Sequence, residues 1–111
     1  MDSMNTYRDL VEKTLLGHVR SNGPADPIIT QPVFDRTKDH YLLVNVGWGK
    51  KARVHGVVAH IDIIGDKLWI QTDGTEEGLA TELVAAGVPA DQIVLGYRLP
   101  EVRKHTGYAL G

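Results

Sequence analysis

His60 and Asp62 stand two residues apart in a stretch, residues 53–64 (RVHGVVAHIDII), whose β-branched content predicts a strand. Residues at that spacing on a strand point to the same side, so an imidazole and a carboxylate share a face. Asp39-His40, one hairpin earlier, is a second acid–imidazole pair. Such groups can hold a divalent metal ion or act as an acid–base pair. Two ligands at this spacing make no site without a third of known position. The competing reading is that His60 and Asp62 hydrogen-bond to Gln71 or to backbone at a half-buried surface. On sequence grounds no catalytic, cofactor-binding or metal residue is assigned, and no cofactor is expected.

Other motifs are incomplete. Gln71-Thr72-Asp73-Gly74-Thr75 is similar to the Asp-x-Asp-Gly-Thr motif of haloacid-dehalogenase-type phosphatases. The nucleophilic aspartate is replaced by Gln71, whose amide cannot attack. Asp73 instead reads as a helix cap. No glycine-rich loop opens a helix to cradle phosphate. Ser3 and Ser21 lie at helix margins with no base and orienter nearby in pattern. Glu76-Glu77 lead into a helix with no lysine following, so a nuclease core is not formed. Lys50, Lys51 and Arg53 make a basic hairpin tip, either a phosphate contact or a solvated turn.

The chain has no cysteine, which excludes disulfides, thiolate metal sites and thiol nucleophiles. Its 12 basic and 14 acidic residues give a net charge of −2, without the basic excess of a free-standing nucleic-acid binder. The length of 111 residues suits one domain, residues 1–111. The polar N-terminal segment is no secretory signal, and no apolar run approaches a membrane span. The expectation is a cytoplasmic protein with no membrane contact.

The elements that must position these residues follow from periodicity. Tyr7, Leu10, Val11, Leu15 and Val19 predict a helix over residues 5–21, capped by Asn5 or Ser3 and stopped by Ser21-Asn22-Gly23-Pro24. Strands are predicted at 28–34, 41–48, 53–64 and 67–72, with Gly65-Asp66 as a two-residue hairpin turn. A second helix is expected at 74–86, with Asp73 and Glu76 as a capping box and Gly87 and Pro89 at its end. Residues 93–97 look like one more strand, and 98–111 are ambiguous. The fold class is α+β: an antiparallel meander of four to five strands with helices packed on at least one face.

Turn lengths set the register. A two-residue turn pairs Ile64 with Lys67, Asp62 with Trp69 and His60 with Gln71; a four-residue turn pairs Trp48 with Arg53, Val46 with His55 and Val44 with Val57. One face then collects Leu42, Val44, Val46, Val57, Ala59, Ile61, Ile63, Leu68 and Ile70, the expected core. The other is mixed, and from it Tyr41, Leu43, Val58, His60, Asp62, Trp69 and Gln71 are the candidate partner interface. Tyr41 and Trp69 would be its anchors. The second helix, the C-terminal tail or another chain must cover this face.

Several segments together resemble the XisI family, the fdxN-element excision controlling factors of heterocyst-forming cyanobacteria. They are Asp39-His40-Tyr41, Val46-Gly47-Trp48, His60-Ile61-Asp62-Ile63, Leu68-Trp69-Ile70-Gln71, Asp73-Gly74-Thr75-Glu76, Gly87-Val88-Pro89, Ile93-Val94-Leu95-Gly96 and the closing Arg103-Lys104-His105-Thr106-Gly107-Tyr108-Ala109. The match covers nearly the whole chain. The resemblance implies a small α/β protein that acts with an XisH-like protein in controlling excision of a DNA element by a separate recombinase. It carries over no catalytic residue. The expected function is a non-catalytic regulatory subunit, with contact to nucleic acid only through its partner, and with self-association as the other use of the mixed face. The rival classes are a metal-assisted enzyme using His60 and Asp62, with Asp39 or His40, and a direct DNA binder through Lys50, Lys51 and Arg53.

Overall fold

The computed structural model describes residues 3–19 and 27–111. Five strands form one sheet in the order β1-β2-β3-β4-β5: Ile28–Asp35, His40–Trp48, Arg53–Ile64, Lys67–Asp73 and Ile93–Leu95. The first four pair antiparallel, each with its neighbour in sequence. β5 runs parallel to β4, so the meander ends in a crossover. A parallel return needs a long connection, which the helix α2, Leu79–Ala85, supplies.

Helix α1, Ser3–Leu16, and α2 cover one face of the sheet. Val11 and Leu15 of α1, Leu79 and Leu83 of α2, and Tyr41, Leu43, Ala59, Ile61, Leu68 and Ile70 of the sheet are fully buried there. α1 begins at Ser3, so Asn5 lies inside it and is not its cap. It ends at Leu16, before Gly17, which costs a helix about 1 kcal/mol relative to alanine. The stop signal at residues 21–24 lies outside the described residues. No helix among the described residues is long and apolar enough to cross a membrane.

α2 begins later than its periodicity predicts. Residues 74–78 form a loop held by Asp73, whose Oδ1 accepts from the Thr75 N–H at 3.0 Å and the Thr75 hydroxyl at 2.6 Å. Asp73 Oδ2 accepts from the Leu79 N–H at 2.8 Å. Asp73 therefore satisfies a first-turn donor of α2, but from across a loop, and the capping box with Glu76 does not form. The far end is a Schellman motif. Gly87, at φ 109°, donates to Val84 O, and the Val88 N–H reaches Leu83 O.

Both hairpin registers match the turn-length reading: Trp48 faces Arg53, Val44 faces Val57, Asp62 faces Trp69 and Ile64 faces Lys67. Two β-bulges alter what lies between. β3 carries an extra residue at Val58, since Leu43 pairs with Ala59 while Val44 pairs with Val57. β4 carries one at Gln71, so His60 faces Thr72 and not Gln71. A one-residue offset exchanges faces. Tyr41 and Leu43 therefore belong to the core, and both are fully buried. Leu42, Val44, Val46 and Val57 lie on the outer face. Ala59, Ile61, Ile63, Leu68 and Ile70 keep their expected inward side.

The residues after β5 form a four-residue helix α3, Pro100–Arg103, and a tail that returns along β5. The Ala109 N–H donates to Ile93 O at 2.8 Å. This tail buries Val94 completely, although Val94 pairs with Trp69 on the outer face.

Candidate functional site

β2 starts at His40, directly opposite Asp62 of β3, and His60 stands on the same outer face two residues before Asp62. His40 Nδ1 lies 2.8 Å and His60 Nε2 2.7 Å from the same oxygen, Asp62 Oδ1. Gln71 Nε2 donates to the other oxygen, Oδ2, at 3.2 Å. Asp62 is only 8% exposed, so its charge must be met by neighbours. The two imidazoles meet edge to face, ring centroids 6.4 Å apart. Of the two readings open at the start, hydrogen bonding to Gln71 is present, and the third ligand-type group is also present, from His40.

Burial alone would push the Asp62 carboxyl up. The hydrogen bonds from His40, His60 and Gln71, with the charge on His60, outweigh burial and hold it below its ordinary value. Asp39 behaves likewise for a different reason. Arg8 donates to both its oxygens, at 2.8 and 3.2 Å, and lowers it against a smaller effect of burial. Each carboxylate thus titrates lower in the folded than in the unfolded chain. Each adds stability above the ordinary carboxylate value of 3.8, which is lost as pH falls through the folded value. Urea unfolding at about pH 6 and about pH 3 checks the sign. Asp62→Asn and Asp39→Asn should each reduce the acid loss of stability. An undiminished loss in both variants would place the acid sensitivity elsewhere.

The other predicted residues separate. Asp39 and His40 part company: Asp39, at φ 58°, faces α1 and accepts from the Tyr41 hydroxyl at 2.8 Å, on the opposite side from His40. Val58, in its bulge, packs against the core. Trp69 remains on the outer face but lies under the chain's own tail, with the Arg103 guanidinium 5.1 Å from its ring centroid. Of the expected interface, His60, Asp62, Gln71 and Trp69 share a surface, and Tyr41, Leu43 and Val58 leave it. Lys50, Lys51 and Arg53 are exposed at the β2–β3 tip, and Arg53 is engaged with the Trp48 ring at 5.7 Å and with Gly47 O at 3.3 Å. The groove between α1 and α2, bordered by Leu10, Lys13 and Glu82, lies on the helix side of the sheet.

Sequence reasoning missed two features. One is the apolar outer stripe of Ile29, Val33, Leu42, Val44, Val46, Trp48 and Val57, in cross-strand register on β1, β2 and β3. Ile29, Val33 and Val57 are 46–51% exposed and Trp48 59%. Its signal was present, since a run of consecutive apolar residues such as Tyr41 to Val44 must place half of them outward on a strand. The other is Arg103, which had no local signal.

A family model described as XisI protein matches residues 1–110. The chain belongs to the XisI family. A crystal structure of an XisI-like protein from Anabaena variabilis superposes with a TM-score of 0.86 at 36% identity, covering 96% of this chain and 97% of that one. The fdxN element excision controlling factor XisI from the same organism superposes at 0.83 with 29% identity, covering 99% and 100%. No curated protein matches the chain.

Gly74, Gly96 and the closing segment from Arg103, by which this chain resembles XisI, hold parts of the fold together. A Cβ on Gly74, in the Asp-Gly-Thr-Glu block, would come 2.8 Å from Val58 O, to which the Gly74 N–H donates. That glycine lets the α2 loop sit against the Val58 bulge. A Cβ on Gly96 would meet Gln71 Oε1 at 2.6 Å. The XisI ending from Arg103 onward is the tail that covers Trp69 and Val94.

Proposed function

We propose that the chain is a non-catalytic subunit in the control of DNA-element excision, and that it docks an XisH-like protein on the outer face of its sheet. Membership of the XisI family and similarity to a protein named as an excision controlling factor support the pathway. The observation that carries the docking is the apolar stripe on β1, β2 and β3, in which Ile29, Val33, Trp48 and Val57 are exposed among the described residues. A row of aliphatic residues with an indole at one end and charged groups at the margin has the make-up of an interface centre. His60, Asp62, Gln71 and Trp69 sit at one rim, and the Lys50-Lys51 tip at the other. With a net charge of −2, the chain meets nucleic acid through its partner.

Co-expression with the XisH-like protein, followed by light scattering on a sizing column, tests this. The wild type should form a stable hetero-complex. Val57→Glu and Val44→Glu should each weaken it by at least about 30-fold, the weight of a hot-spot residue. Val57 is half-exposed, so its variant should melt as the wild type does. Unchanged association in both variants would overturn the assignment of the face. A homo-oligomer indifferent to the XisH-like protein would overturn the subunit reading and make the stripe a self-interface.

A further inference from the structure

We infer that His40, His60 and Asp62 form a binding site for a first-row divalent transition-metal ion of the zinc class. One ligand atom from each residue lies within 4.8 Å of the other two. The two N···O separations, 2.8 and 2.7 Å, are roughly half an ångström short of the edge of a tetrahedron with bonds of about 2.0–2.1 Å. Rotation about the side-chain torsions of His40, His60 and Asp62 is the movement that would bring the three atoms onto one ion. Two imidazoles and one carboxylate favour zinc, cobalt, nickel or ferrous iron over magnesium or calcium, which take oxygen donors.

The surroundings are those of a prepared site. All three residues project from paired strands, so their relative positions are set by register. Gln71 Nε2 holds Asp62 Oδ2 and leaves Oδ1 turned toward both imidazoles. Such outer hydrogen bonds orient metal-ligating carboxylates. Exposure rises outward: the side chains of Asp62, His60 and His40 are 12%, 27% and 51% exposed, so an ion can enter from the His40 side. His40 Nδ1 and His60 Nε2 both face Asp62 Oδ1, and as donors to the carboxylate they carry the ring protons there. A metal ion would take His40 Nδ1 and His60 Nε2 as unprotonated ring nitrogens, with the remaining ring protons on His40 Nε2 and His60 Nδ1. Three protein ligands leave at least one position for water or for a group from a docked protein. The site stands whether or not the neighbouring stripe takes a partner.

The test is calorimetric titration of the untagged chain with Zn2+, with Co2+ as a coloured probe. The wild type should bind one equivalent and give the visible d–d bands of a nitrogen- and oxygen-ligated Co2+. His40→Ala, at a half-exposed position that should not disturb folding, should weaken binding by at least about 10-fold. Asp62→Asn, checked for folding by circular dichroism, should weaken it further. His55→Ala and His105→Ala, at exposed histidines outside the cluster, should leave it unchanged. Nitrogen-15 NMR of the imidazoles should show His40 moving to its Nε2–H tautomer as Zn2+ is added. No stoichiometric binding by the wild type, or binding by His40→Ala equal to the wild type, would overturn the site.

Discussion

Tyr41→Ala should lower the unfolding free energy by about 3–5 kcal/mol, the range for an aromatic truncated in a core. The ring is fully buried beside Leu43 and Ile61, with Phe34 packed at 5.8 Å between centroids. Its hydroxyl donates to Asp39 Oδ1 at 2.8 Å, and burial together with the Asp39 carboxylate pushes the phenol well above its ordinary range. Tyr41 thus joins the core to the Arg8–Asp39 pair, which ties α1 to the turn before β2. Tyr41→Phe separates the two contributions. It keeps the ring and loses one hydrogen bond to a charged acceptor, about 1.5–3 kcal/mol, with Asp39 still held by Arg8. Chemical denaturation of the isolated chain measures both. As an interface anchor, Tyr41→Ala would spare stability and weaken only association; that result would return the residue to the outer face.

Arg103→Ala should cost about 2–3 kcal/mol and uncover Trp69. The guanidinium donates to four carbonyls: Leu95 O at 3.2 Å, Arg98 O at 3.1 Å, Leu110 O at 3.3 Å and Gly96 O at 3.5 Å. It also lies over the Trp69 ring. Hydrogen bonds from a charged donor and a partly buried cation–π contact are the stronger of their kinds. One side chain therefore gathers the end of β5, the turn after it and the tail onto the outer face. Lysine cannot replace a planar fork with five donors, so Arg103→Lys should recover only part of the loss. In a Trp48→Phe background the fluorescence reports Trp69 alone, and Arg103→Ala should shift it to the red. An unshifted spectrum with unchanged stability would mean that the tail is held by other contacts.

These two residues explain how the two faces of the sheet become three zones. The helices bury the inner face. The Arg103 tail covers the β4–β5 end of the outer face. At the β1–β3 end Ile29, Val33, Trp48 and Val57 are exposed among the described residues, with the His40–His60–Asp62 cluster at the boundary between the two ends. The acid–imidazole groups and the apolar stripe are therefore adjacent, and a protein docked on the stripe would lie within reach of the cluster.

The elements and hairpins of this chain were legible in its residues. Alternation and turn chemistry placed four strands to within about two residues, and turn lengths paired Trp48 with Arg53 and Ile64 with Lys67. Those signals are local, carried by residues adjacent in the chain or across a short turn. The faces were not legible. Val58 and Gln71 are extra residues in their ladders, and a bulge at a valine or glutamine has no side-chain signature. Each strand here carries apolar residues on both sides, so hydrophobicity could not report the offset, and Tyr41 and Leu43 exchanged sides with Leu42 and Val44. The site divides in the same way. His60 and Asp62 share a face by spacing alone, a consequence of strand period. That His40, and not Asp39, completes the cluster is settled by the β2–β3 register beyond the bulge. That Arg103 closes over Trp69, 34 residues away in sequence, is settled by tertiary packing, because only the folded sheet brings them together.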